Sequence, residues 1–314
     1  MEGLWVRAIL LILANSVISG VDSAATFTFS NNCGFTVWPG ILSSAGIPPL
    51  STTGFVLQSG ASQTIEAPTA WGGRFWGRTY CAQGSNGKFS CLTGDCGTGE
   101  VQCSGSGAAT PVTLAEFKLD GANGMDFYDI SLVDGYNLPI LVVPQGGSGV
   151  NCSYAGCLSD LNAACPSQLS VAGDGDGNST VACRSACDAF GTPEYCCSGA
   201  YGSPSTCQAS EYSRIFKSAC PQAYSYAYDD RTSTFTCTGA DYTLTFCPSP
   251  NTSQKSSSSG GPQPVVAPEK TDESPATGSM FYEGATVSST AGAARISYWI
   301  VAVMTAAWRL WNLF

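Results

Sequence analysis

Gly87–Cys103 reads GKFSCLTGDCGTGEVQC. It holds Cys91, Cys96 and Cys103, with Cys81 just upstream, and the glycines Gly87, Gly94, Gly97 and Gly99. Glycine reaches backbone angles closed to other residues, which tight turns need. Neither a helical nor a strand period runs through the stretch. Such a segment buries too little apolar surface to offset the entropy of ordering it, so crosslinks must hold its shape. Zinc is the other use for clustered cysteines. The chain has no histidine and no CxxC pair, and a secretory leader precedes the cluster, so no metal site is expected.

The whole composition agrees. Among 314 residues there are 16 cysteines, an even number that fits eight disulfides and an oxidising compartment. Charged residues make up 11% of the chain, against a usual ~25%. A net charge of −10 argues against nucleic acid, whose phosphates need a basic face. Without histidine a Ser-His-Asp triad, a Cys-His pair and a histidine metal site are excluded. Chemistry must then rest on carboxylates, Lys, Tyr or free Cys, and no cofactor is expected.

Outward from the opening stretch, residues 1–25 read as a signal peptide: Arg7 supplies the positive charge and Ala8 to Ile18 the apolar run, with cleavage after Ala25 and Ser23 at −3. Residues 26–150 carry short strand-like runs at Thr26–Phe29, Thr36–Trp38, Gly54–Leu57, Gln63–Glu66, Arg74–Thr79, Val112–Leu119, Phe127–Leu132 and Ile140–Pro144, separated by Gly, Pro, Asn and Ser. That pattern predicts a mainly β fold, an antiparallel sandwich or barrel. Residues 151–221 change character. Cysteines crowd together, and helices are expected over Ser159–Cys165, Val181–Phe190 ending at Gly191, and Ser210–Ala219 with Ser210 as N-cap. On the second of these, Cys183 and Cys187 would share a face. This segment reads as a disulfide-tied lobe. Residues 222–248 return to strand composition, at Ser233–Cys237 and Tyr242–Phe246, and are expected to rejoin the first sheet.

Residues 249–295 form a Ser/Pro-rich linker expected to be disordered. Residues 296–314 are an apolar tail interrupted by Arg309 and Asn312. A retained membrane span and a GPI signal compete here. The tail has no basic residues after it, small residues such as Ser288 and Ser289 precede it, and an arginine lies within it, which fits the GPI signal better. Sequons occur at Asn151, Asn178 and Asn251; Asn178 sits in an open Gly-Asp loop, while Asn151 precedes a bonded cysteine.

Glu116, Asp129 and Asp134 are close in sequence, on strands expected to be neighbours. Hydrolysis of a glycoside needs two carboxyls, one to donate a proton and one to act from the other side, and neither histidine nor metal. A cluster of carboxylates raises its own proton affinity, which helps one of them serve as the acid. Positions 129 and 134 have opposite strand parity, so Asp134, followed by Gly135, is expected in a turn from which it reaches the same side. The plain alternative is a solvated acidic rim that only binds sugar or cations. Phe127 and Tyr128 are candidates for stacking on sugar rings, with core packing the simpler role for Phe127.

The order G-x-F-x-C-x-T-G-D-C-x-x-G-x-x-x-C resembles the signature of thaumatin-like proteins. The resemblance extends over roughly Ala25 to Pro248, through ATFTFSNNCGFTVWPG, RFWGRTYC, TLAEFKLDGANGMDFYDISLVDGYNLP, CRSACDAFGTPEYCCSGAYGSPSTC, AYSYAYDDRTSTFTC and the closing TFCP. It implies a flattened antiparallel β-sandwich with a disulfide-rich lobe containing short helices. Sixteen cysteines allow about two million pairings, and the resemblance implies one: Cys33–Cys247, Cys81–Cys91, Cys96–Cys103, Cys152–Cys237, Cys157–Cys220, Cys165–Cys183, Cys187–Cys196 and Cys197–Cys207. It also implies an acidic cleft of Arg74, Glu116, Asp129, Asp134 and Asp229, the last ambiguous with Asp230. Glu116 and Asp134 match the pair for which the family is proposed to cut β-1,3-glucan. Sweet-tasting members do not keep this set, so the resemblance points to the glucan-directed branch. The expected partners are β-1,3-glucan or another wall polysaccharide and, through the C-terminal anchor, the outer face of the plasma membrane. The expected protein is a secreted, surface-held monomer.

Overall fold

The computed structural model describes residues 23–173 and 179–249. The leader up to residue 22, most of the linker, the apolar tail and the sequons at Asn178 and Asn251 lie outside them. In chain order the strands are β1 (Ser23–Asn31), β2 (Trp38–Ser43), β3 (Ser62–Pro68), β4 (Gly72–Gln83), β5 (Phe89–Thr93) and β6 (Leu114–Lys118). They continue as β7 (Asp126–Ser131), β8 (Ile140–Ser148), β9 (Ala155–Cys157), β10 (Ser170–Ala172), β11 (Thr180–Cys183) and β12 (Phe235–Phe246). The helices are α1 (Ala186–Phe190), α2 (Glu211–Ala219) and α3 (Asp230–Ser233).

Ten of the strands make one curled sheet. One layer runs β3–β1–β12–β8–β9 and the other β2–β4–β6–β7, with β5 on β4. β12 joins them: Phe235–Cys237 pairs with β7, and from Thr238 the strand turns to β8. Gly239, at φ +65°, stands at this corner. The two strand runs expected near the C-terminus are therefore one bent strand, and Ser233 belongs to α3.

β1 alternates as its sequence does: Ala25, Phe27 and Phe29 are buried, while Thr26, Thr28 and Ser30 are half-buried. Phe27 meets Trp71, Phe75, Phe117 and Tyr242 at centroid distances of 4.8–5.8 Å, which packs the first layer on the second. Fully burying such a side chain is worth about 1.5–3 kcal/mol. β1 and β12 pair in parallel, a departure from an all-antiparallel sandwich. Parallel neighbours need a long connection, and here almost the whole domain lies between them.

Within the opening stretch, Asp95 acts as the clamp. Its carboxylate accepts from the Cys91 N–H at 2.6 Å and the Gly97 N–H at 2.5 Å. Asn137 donates to Thr93 Oγ1 and to the Gly77 carbonyl, tying the same stretch to β4. The Cys96 and Cys103 side chains lie over Trp76 in a small second core, and the indole N–H donates to the Gly94 carbonyl. The eight disulfides are Cys33–Cys247, Cys81–Cys91, Cys96–Cys103, Cys152–Cys237, Cys157–Cys220, Cys165–Cys183, Cys187–Cys196 and Cys197–Cys207.

Three local expectations need correction. Ser159–Cys165 forms turns instead of a helix. The Asn162 N–H bonds the Asp160 carboxylate, and the Asn162 amide is used to tie the Asn137 and Val181 carbonyls together. Val181–Phe190 is half strand and half helix, because Cys183 exchanges backbone bonds with Tyr136 and Ser185 caps α1 at the Asp188 N–H. Cys183 and Cys187 thus sit on different elements. Gly54–Leu57 makes only isolated bridges, to Gly40 and Val37. α2 matches its expected span, with Ser210 accepting from the Ser213 N–H.

Candidate functional site

Strand register builds the site. Arg74 on β4 stands opposite Glu116 on β6, and Glu116 stands opposite Asp129 on β7. Directly paired residues point to the same face, with Cβ atoms ~4.5–5.5 Å apart. Their neighbours Phe75, Phe117 and Tyr128 are all buried in the core, so the row Arg74–Glu116–Asp129 lies on the other face of the layer.

Asp134 reaches this row from a turn. The Gly135 N–H bonds the Leu132 carbonyl, and the Val112 N–H bonds the carbonyl of Asp134 itself. Gly135 is at φ +94°, and a Cβ there would come within 2.5 Å of Pro111 and 2.7 Å of the Cys183 carbonyl. Only glycine fits, so the position of Asp134 is set by its neighbour. Its charge acts on Glu116.

Burial is the main cause of the altered proton affinities. It raises the Glu116 pKa above the usual carboxylate value; Arg74 opposes this and Asp134 adds to it. Asp129 is 1% exposed and its Oδ1 accepts no hydrogen bond. Burial pushes its pKa well above the ordinary value, and the charges of Glu116 and Asp230 push it further. A desolvated carboxyl beside like charges holds its proton. The row therefore sets Arg74 beside two carboxyls that both hold their protons more tightly than an exposed carboxyl does, Asp129 the more strongly.

The neighbouring aspartates divide the remaining roles. Asp229 Oδ2 accepts from Lys217 Nζ at 2.9 Å and from both the N–H and hydroxyl of Ser225, which ties α2 to the chain before α3. Asp230 Oδ1 accepts from the Tyr224 hydroxyl, and its charge bears on Asp129. Of the ambiguous pair, Asp230 is the one coupled to the row. Tyr224, Lys217 and Ser225 carried no sequence signal of their own. Tyr128 is fully buried among Phe117, Phe235 and Tyr242, so it belongs to the core and offers no face to a sugar.

A disulfide-bonded, curled β-sandwich carrying an in-register row of carboxyls, in a chain without histidine, defines a class of protein suited to an oxidising, extracellular setting. Residues 31–248 match the model of the Thaumatin family, and the chain belongs to that family. It is 57% identical to "Pathogenesis-related protein 5" of Arabidopsis thaliana, over 74% of this chain and 94% of that one. It is 53% identical to "Glucan endo-1,3-beta-glucosidase" of Prunus avium, over 76% of this chain and 98% of that one. It is 50% identical to "PR5-like receptor kinase" of Arabidopsis thaliana, over 79% of this chain but 37% of the kinase.

Proposed function

We propose that the cleft binds β-1,3-glucan in a surface-held defence protein, with slow endo-hydrolysis as its accompanying activity. The in-register row Arg74–Glu116–Asp129, with the charge of Asp134 on Glu116, is the observation that carries the reading. The names of the Prunus avium and pathogenesis-related relatives support it. Glu116, whose proton affinity burial raises, is suited to give its proton to the departing glycosidic oxygen. Asp134 is suited to act from the opposite side, as base or nucleophile. Arg74 limits the rise in Glu116 proton affinity, so that the proton can still leave. Reducing-sugar release from laminarin tests the chemistry: the secreted domain should release sugar, and Glu116→Gln and Asp134→Asn should each lower the rate by about 10²-fold or more. Equal release by all three proteins removes the enzymatic part.

A second reading is a non-catalytic ectodomain that binds a wall polysaccharide or a protein at the membrane. The receptor-kinase relative favours it, as do the apolar residues 296–314. It predicts saturable glucan binding without products, and release of the protein from membranes by a GPI-specific phospholipase.

A further inference from the structure

Phe35 and Tyr80 are accounted for by neither the core nor the cleft. They are 47% and 61% exposed. Their rings are 21° from parallel with centroids 6.4 Å apart, an offset pair that leaves ring surface open to solvent. Tyr80 sits at φ +53°, a region that suits glycine and that a bulky residue occupies only at a cost. A large aromatic in a strained backbone position, turned outward, serves nothing inside the fold.

The same edge carries more of this surface. Trp38 on β2 packs against Phe89 on β5 with centroids 6.2 Å apart. Val56, 44% exposed, adjoins Leu57, whose backbone bonds Val37. Arg78, paired in register with Trp38, is fully buried and donates to the carbonyls of Trp38, Pro39 and Val101. Its guanidinium also lies over the Phe89 ring, 5.4 Å from the centroid, so Arg78 backs the shelf from inside and does not project into solvent. Tyr80 and Arg74 lie six residues apart on β4, roughly 20 Å at ~3.3 Å per residue. The shelf is thus separate from the cleft.

We propose that this aromatic shelf is a second polysaccharide contact, on which the CH faces of a neutral β-linked glucan stack while the acidic cleft holds another part of the same polymer. The proposal rests on the reading of the cleft as a glucan site. Several features select this occupant. Pyranose rings present flat apolar faces that match open aromatic rings, and no charge is needed to meet them. A protein partner would need some 20–30 residues a side, far more than these five. An anionic membrane is disfavoured by the net charge of −10. Two contacts on one polymer also add by effective concentration, so long glucans should be held more tightly than short ones.

The test compares retention on insoluble β-1,3-glucan with solution binding of laminarihexaose, for the wild-type ectodomain, Tyr80→Gly and Phe35→Ser. Glycine suits the backbone at position 80, so Tyr80→Gly should melt no lower than wild type, and any loss of binding is then not a loss of fold. We expect retention on the polymer to weaken about tenfold in each variant while laminarihexaose affinity stays unchanged. Wild-type retention by both variants overturns the shelf and leaves the cleft reading intact. Failure of the wild type to bind either glucan overturns both.

Discussion

Asp129 is one carboxyl among several, set apart by its place opposite Glu116 and by its unpartnered Oδ1. Its proton affinity is raised in the folded state, chiefly by burial. The neutral carboxyl is the form the fold tolerates. Its contribution is fully present at pH values below the unfolded pKa of ~3.9 and is lost as pH rises through the higher folded value. Asparagine keeps the shape and never ionises. Asp129→Asn should therefore gain melting temperature over wild type progressively as pH rises from the unfolded value of ~3.9 through the higher folded one, as read by calorimetry. Parallel pH profiles for the two proteins would contradict a buried proton at this position. The sequence placed Asp129 in the acidic group but gave no sign of how deeply it is buried, because burial depends on which strands flank β7. The parity conflict between positions 129 and 134 was legible, and so was its resolution in the turn before Gly135. The choice between Asp229 and Asp230 was not, since it depends on the distant Lys217.

At the level of elements, the structures that local chemistry decides are legible in the sequence, and those that distant partners decide are not. α2 follows its cap, Ser210, and most strands follow their alternation. The expected helix over Ser159–Cys165 is lost because Asn162 spends its amide on carbonyls of two remote segments. α2 is held to the chain before α3 by Lys217, whose ammonium group bonds the Asp229 carboxylate, the Ala223 carbonyl and the Ser233 hydroxyl. The pair is largely enclosed, with side-chain exposures of 26% and 13%. Removing one partner of such a pair leaves an uncompensated charge, at about 3 kcal/mol. Lys217→Met, which retains the apolar stem, should lower the melting temperature by roughly 6–12 °C in a domain of this size. Adding Asp229→Asn should recover part of that loss. Additive losses in the double variant would show that the two groups do not act as a pair.

For the molecule as a whole, the disulfides replace what the composition lacks. Cys33–Cys247 ties residues separated by 214 positions, and Cys96–Cys103 residues separated by 7. In the chain-entropy account the long closure is worth about 5.4 kcal/mol and the short one about 2.4. Cys33→Ala/Cys247→Ala should therefore melt well below Cys96→Ala/Cys103→Ala, and the reverse order would place the stability elsewhere. The need for crosslinks was legible in the opening stretch, but which cysteines meet followed from family likeness, because spacing alone leaves the pairings open. The same scaffold holds the row of Arg74, Glu116 and Asp129 in register, and the proposed β-1,3-glucan site consists of this row with Asp134. Titration calorimetry of laminarihexaose into the secreted domain, set beside Glu116→Ala and Asp134→Ala, tests it most directly. The wild type should bind saturably, and either change should weaken binding about tenfold or more, as the loss of a hydrogen bond to a charged or buried carboxyl implies. Binding of equal strength in all three proteins would contradict it.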